Sequence, residues 1–191
     1  MQDKKNKQKN NLKSSKKVAD FLEKNKIHKK DFALMIGVTL SYVYNLIDEA
    51  IAFSTRGTTL ERIATVMDID PEEFDEYVIP SDPLPYNKNL ETLKGYIKKN
   101  KLSTVDFLKQ FERKKRLRIV DILRGAEPLY IDFAEFKKMG EVLNIPNEEL
   151  FNLWRGIFTE YLEEGNFDTE ANKALLDAMF NGAKKFVLAK K

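Results

Sequence analysis

Five cations fall within six residues at Arg113, Lys114, Lys115, Arg116 and Arg118. Arginine pairs bidentately with guanine or phosphate, and lysine adds a point charge. The run therefore suits a polyanionic partner, with a solvated charged helix face as the plainer alternative. Other chemistry is scarce. His28 is the only histidine and there is no cysteine. Disulfides, thiolate catalysis and Cys-ligated zinc are thereby excluded, which leaves only carboxylates for a metal. No EF-hand loop and no Gly-rich phosphate cradle occurs. The acidic pairs Glu72-Glu73 and Glu148-Glu149 stand at matched helix starts, where the helix dipole favours negative charge. No enzyme activity, metal or cofactor is expected.

The elements that position these residues are written almost twice. Asn25-Lys26-Ile27-His28-Lys29-Lys30-Asp31-Phe32 returns as Asn100-Lys101-Leu102-Ser103-Thr104-Val105-Asp106-Phe107, an offset of 75. Met67-Asp68-Ile69-Asp70-Pro71-Glu72-Glu73-Phe74 returns as Leu143-Asn144-Ile145-Pro146-Asn147-Glu148-Glu149-Leu150, an offset of 76. A period this long exceeds the roughly 20–50 residues of a solenoid repeat and suits a small domain. Residues 1–14 form a polar, Lys- and Asn-rich tail expected to be disordered. The first domain spans 15–79, a Pro-rich linker 80–87, the second domain 88–154, and a helical extension 155–191.

Helical spacing opens near Ser15, with Ser14 or Ser15 as cap and Val18, Phe21 and Leu22 on one face. A short second helix runs from about Lys29 to Met35 and ends at Gly37, where a left-handed backbone has no Cβ cost. Thr39 caps a third helix, Leu40 to about Glu49, with Val43, Leu46 and Ile47 inward. Leu60, Ile63, Ala64 and Met67 mark a fourth helix. Asp70-Pro71-Glu72-Glu73 has the cap, first-turn proline and acidic first turn of a fifth. The second domain repeats the plan from Leu90 to about Trp154. A further helix is broken at Gly165, and a last one carries Ala171, Leu175, Ala178, Met179, Phe186 and Val187 on its apolar side. Trp154 is expected as a core or interdomain anchor. No segment alternates convincingly as a strand, so the fold is expected to be all-α.

The segment Ile27 to Leu46 resembles the core of the phage-repressor-like (lambda repressor-like) helix-turn-helix family. Ala33, Ile36, Gly37, Val38 and Thr39 occupy the family's helix-end and turn positions, His28 stands where the family places a helix cap, and Thr59-Leu60 to Ile69 looks like its fourth helix. The resemblance covers roughly residues 16–76, with a degenerate second copy over roughly 88–152. It implies an all-α chain of two tandem repressor-like domains plus C-terminal helices. It also implies a helix that enters the major groove, preceded by a helix whose N-terminal amides and cations hold phosphate. By position the first domain would present Leu40, Ser41, Tyr42, Tyr44 and Asn45. Ser41 and Asn45 are base readers, with Lys29 on the backbone. Leu40, Tyr42 and Tyr44 suit a protein partner. In the second domain the equivalent helix starts near Lys114, after Glu112-Arg113 in place of Gly-Val. Its wheel puts Ile119, Ile122 and Leu123 inward, with Lys114, Arg118 and Asp121 opposite. Arg113, Lys114, Lys115, Arg116, Arg118 and Asp121 are therefore the expected DNA-facing set.

The net charge of +3 is unevenly spread. Residues 1–17 carry +6, residues 18–80 carry −6, residues 81–154 carry +3, and the rest balance. Basic clusters attract phosphate backbones. The expected function is a DNA-binding transcriptional regulator that uses the second domain and the basic tail. The alternative is a protein-interaction module or scaffold. Double-stranded DNA is the expected partner, a homodimer through the C-terminal helices and a protein partner of the first domain being further expectations. No run suits a signal peptide or a membrane span, so a cytoplasmic protein is expected.

Overall fold

The structure is a computed structural model that describes residues 14–82, 84, 86–126, 133–164 and 167–188. The basic tail before Ser14, Pro83, Pro85 and the expected break at Gly165 lie outside the described residues. All regular structure among the described residues is helical.

The chain divides into two compact units, and the division does not follow the repeat. One unit comprises the chain up to Pro83 together with Thr104–Arg124. The other comprises Leu84–Ser103 with Gly125–Lys191. These differ from the boundaries expected from the repeat, because the middle of the second copy packs on helices of the first.

In the first unit, α1 covers residues 14–24 and buries Val18 and Leu22. Ser14 and Ser15 lie within this helix rather than ahead of it, and Ser14 donates to Glu76. α2 (Lys29–Ile36) buries Phe32, Ala33, Met35 and Ile36. Gly37 follows at φ 72, and its N–H closes back on the carbonyl of Ala33. α3 (Leu40–Ile47) is capped by Thr39, whose hydroxyl accepts from the Tyr42 N–H at 3.2 Å. It points Val43 and Leu46 inward. α4 (Gly57–Met67) buries Leu60, Ile63, Ala64, Val66 and Met67 and ends at Asp68 in the left-handed region.

The expected fifth helix is only a 3-10 turn, Pro71–Glu73. Asp70 does cap it, accepting from the Glu72 N–H. The turn stops because Phe74 is drawn into the core, where its ring stacks on Phe53 at 5.8 Å. Burying a phenylalanine contributes ~2–3 kcal/mol. Helix propensities differ by ~0.7 kcal/mol per residue at most among ordinary residues, so the anchor wins.

The same unit is completed by α6 (Thr104–Lys109) and α7 (Arg116–Leu123). α6 packs on α4, and α7 packs on both α2 and α4. The start of α6 is capped from α4. Asp68 accepts from the Thr104 N–H at 2.9 Å and also from its hydroxyl.

In the second unit, α5 (Lys88–Lys99) buries Leu90, Leu93 and Ile97 and is capped by Asn87. α8 (Phe133–Leu143), α9 (Asn147–Glu164) and α10 (Lys173–Leu188) complete it. α9 carries the contacts to α5, α8 and α10. Its core centres on Trp154, whose ring lies 5.7 Å from Phe158 and edge-on to Phe180 at 5.3 Å. Leu176, Phe180 and Ala183 are therefore the buried side of α10. Of the expected side, Leu175, Ala178 and Met179 face solvent instead, and the side chains of Phe186 and Val187 lie outside the described residues. α10 has apolar residues on two sides, and the aromatic one fits beside Trp154.

Candidate functional site

The α2–turn–α3 segment leaves its outer face open. Leu40 is 40% and Tyr44 54% exposed, and Ser41 and Asn45 are exposed with them. Lys29, at the start of α2, reaches across to α3. Its Nζ stands 5.5 Å from the centre of the Tyr44 ring, within cation–π range. Tyr42 differs from its neighbours. It is half-buried, and its hydroxyl donates to the Ser54 carbonyl at 3.3 Å. The face thus brings together Lys29, Leu40, Ser41, Tyr44 and Asn45, with Tyr42 at its edge. His28 occupies the cap position of α2 without a side-chain capping bond and is exposed.

The basic run of the second copy is placed differently. α6 and α7 are separate helices joined through a 3-10 turn, Arg113–Lys115, and α7 begins at Arg116 rather than near Lys114. Arg113 pairs with Asp31 of α2 at 3.0 Å, and Lys114 pairs with Glu112 at 3.2 Å. Lys115, Arg116 and Arg118 are half-buried. The Arg116 Nε donates to the Phe111 carbonyl at 3.2 Å. Burial lowers the pKa of its guanidinium, an effect opposed by Asp31 and reinforced by Arg113. Leu117 lies over the α2–α3 turn, so close that a Cβ on Gly37 would stand 2.9 Å from its methyl carbons.

Asp121 is the clearest correction. It was expected on the solvent side of α7, yet it is 4% exposed. Arg62 of α4 grips it with two bonds, Nε–Oδ1 at 2.7 Å and Nη2–Oδ2 at 2.8 Å. Arg124 adds a third, to Oδ1 at 3.0 Å, and also pairs with Glu61. Tyr77 donates to the other oxygen of Glu61 at 3.3 Å. Burial first, and then Glu61, raise the Tyr77 pKa above that of a free phenol. Two arginines and two carboxylates thus join α4 to α7, so Asp121 cannot meet DNA in this arrangement.

Arg62, Glu61, Arg124 and Asp68 were not anticipated. One signal for Asp121 was present, since it sits inside the apolar run Ile119-Val120-Asp121-Ile122-Leu123. A carboxylate there can be buried only with a charged partner. The packing also has an electrostatic logic. Residues 14–82 hold eight Lys and Arg against thirteen Asp and Glu. Residues 104–124 hold seven against three and bring the described part of this unit close to neutral.

No group of His, Asp or Glu among the described residues could hold a metal ion. No described helix is long and apolar enough to cross a membrane. Compared with protein-family models, curated proteins and solved structures, the chain matches none.

Proposed function

We propose that the chain is a cytoplasmic, non-enzymatic DNA-binding protein, a transcriptional regulator whose first helix-turn-helix supplies the DNA-reading face. The observation that carries this is the contrast between two helices. α3 leaves Ser41, Tyr44 and Asn45 exposed beside Lys29. α7 is packed against α2 and α4, with Asp121 and Arg124 taken up in ion pairs. An α-helix fits the major groove, where Asn pairs with adenine and apolar side chains meet the thymine methyl. Asn45 has the first role, and Leu40 and Tyr44 have the second. The N-terminus of α2, with Lys29 and the exposed Lys30, suits a phosphate. Arg113 and Lys114 are exposed near the same end of α2, and the Lys-rich tail adds non-specific attraction.

The test is fluorescence anisotropy with random-sequence duplex and then with a selected site, at about 50 and 200 mM salt, conditions between which phosphate-driven binding falls steeply. Asn45→Ala with Tyr44→Ala is expected to weaken site binding by about 10–100-fold. Arg116→Ala with Arg118→Ala is expected to change it much less. No binding at the lower salt by folded protein refutes the proposal.

A protein-interaction module is the second reading. It is favoured by the exposure of Leu34 and Ile51 in addition to Leu40 and Tyr44 on the same unit, since apolar exposure of this kind also suits a protein partner. Intact DNA binding by the Tyr44/Asn45 variant would assign the α3 face to that role.

A further inference from the structure

α5 carries an exposed row of cations in the second unit. Lys88, Lys94, Lys98, Lys99 and Lys101 stand against one acid, Glu91, over residues 84–103, whereas residues 125–191 hold twelve acids against eight cations. The unit is neutral in sum and gathers much of its positive charge on one helix. Leu90, Leu93 and Ile97 of α5 turn into the core. Lys88, Thr92, Gly95 and Lys99 recur at i, i+4, i+7 and i+11 on the opposite side, and all four are exposed. Lys98 flanks this row and Lys101 follows it, both exposed. The two ends of the row lie about 16 Å apart at about 1.5 Å per residue. Between them stand only Thr92 and Gly95, and a Cβ on Gly95 meets nothing within 4 Å. No bulky side chain on the row holds a partner away from the lysines.

The unit's own stability does not account for these charges. Among the described residues no carboxylate stands within ion-pair range of Lys88, Lys98, Lys99 or Lys101, and of the α5 lysines only Lys94 pairs, with Glu91 at 2.6 Å. Lys99 lies over the Tyr96 ring at 5.4 Å, and Glu149 of α9 gives its carboxylate to the Tyr96 hydroxyl. Lys98 and Lys99 suit the negative end of the α5 dipole, but Lys88 stands at the positive end, where a cation is disfavoured. An open cationic row of this length suits a duplex, which carries one negative charge per ~1.7 Å of its axis. A membrane surface suits it less, because an interfacial helix inserts apolar side chains and those of α5 are buried in the core. We propose that the exposed face of α5 is a second nucleic-acid contact, which takes the phosphate backbone of duplex DNA without reading its bases. This rests on the reading of the chain as a DNA-binding protein, and it adds a sequence-independent hold on the unit that lacks the α3 face.

Fluorescence anisotropy on the full chain tests it, with random-sequence duplex and with a selected site, between about 50 and 200 mM salt. Lys88→Ala with Lys98→Ala and Lys99→Ala is expected to weaken binding of both duplexes by the same factor, at least about tenfold at the lower salt, since phosphate contacts carry no sequence information. The slope of log affinity against log salt should become shallower by about 2. Gly95→Glu sets an acid in the middle of the row, where a side chain has room, and is expected to weaken both duplexes in the same way. It decides the matter if the triple variant loses helix by circular dichroism. Wild-type binding that neither folded variant alters overturns this proposal and leaves the α3 reading standing. Absence of duplex binding by the wild type overturns both. A loss seen only with phosphatidylserine vesicles, duplex binding being unmoved, assigns the face to a membrane surface and also overturns the proposal.

Discussion

Replacing Asp121 by Asn removes the charge of the one buried member of a part-buried cluster of four and leaves its shape. The carboxylate accepts from Arg62 at 2.7 and 2.8 Å and from Arg124 at 3.0 Å. Arg124 would keep Glu61, but Arg62 would lose its only acid partner among the described residues. Removing one partner of a buried pair costs ~3–5 kcal/mol, and the amide oxygen still accepts one bond, so a loss of ~3 kcal/mol is expected. For a chain of this length that corresponds to a fall in Tm of roughly 6–12 °C. Urea unfolding followed by circular dichroism measures it as a lower midpoint at unchanged slope. The loss should persist at about 0.5 M salt, because buried pairs are weakly screened. A double-mutant cycle with Arg62→Gln should return a coupling of ~1–3 kcal/mol. A loss below ~1 kcal/mol that vanishes in salt would be the signature of an exposed pair and would refute the packing of α7 on α4. A solvent-facing Asp121 predicts a different outcome, with stability unchanged and tighter DNA binding from one less negative charge.

Two further outcomes follow from the same unit. Asp68→Ala should destabilise by ~1–2 kcal/mol in urea, since it uncaps α6 and places alanine in a left-handed conformation. Asp68→Asn, which tolerates that conformation and keeps an acceptor, should lose much less. Tyr77 has a folded pKa raised above that of a free phenol. Its contribution is therefore fully present below pH 10 and is lost as pH rises through the raised value. Unfolding measured at about pH 8 and pH 10.5 should show a steeper fall for the wild type than for Tyr77→Phe, and equal falls would contradict the Glu61 contact.

Much of the helix plan was legible because local chemistry sets it. Gly37, Thr39 and the Leu60-Ile63-Ala64-Met67 stripe act through their own backbone or spacing, and the structure places α2, α3 and α4 accordingly. What the sequence hid was choice of partner. The wheel put Ile119, Ile122 and Leu123 inward, and they are buried. It could not show that the opposite side of α7 also meets protein, because that depends on Arg62, which lies 59 residues earlier. α10 failed for a related reason. Two apolar stripes compete there, and only the position of Trp154 selects the one through Phe180. The candidate face on α3 was readable in position, and the half-burial of Tyr42 was not, since its hydroxyl bonds a backbone carbonyl in the following loop.

The interleaving of the units bears on how the chain is made. The first unit needs α6 and α7, so it is incomplete until Arg124 has been synthesised. At roughly 5–20 residues per second, the stretch from Pro83 to Arg124 takes about 2–8 s. During that interval residues 14–82, whose excess of acid lies in the segments between and after the helices, are without the cations of 104–124 and without the apolar side of α7. The interval is far longer than the microseconds in which a helix forms. For those seconds the apolar side chains of α2 and α4 that α7 will cover are left to water. A chain cut at the Pro-rich segment would be held in the same unfinished state.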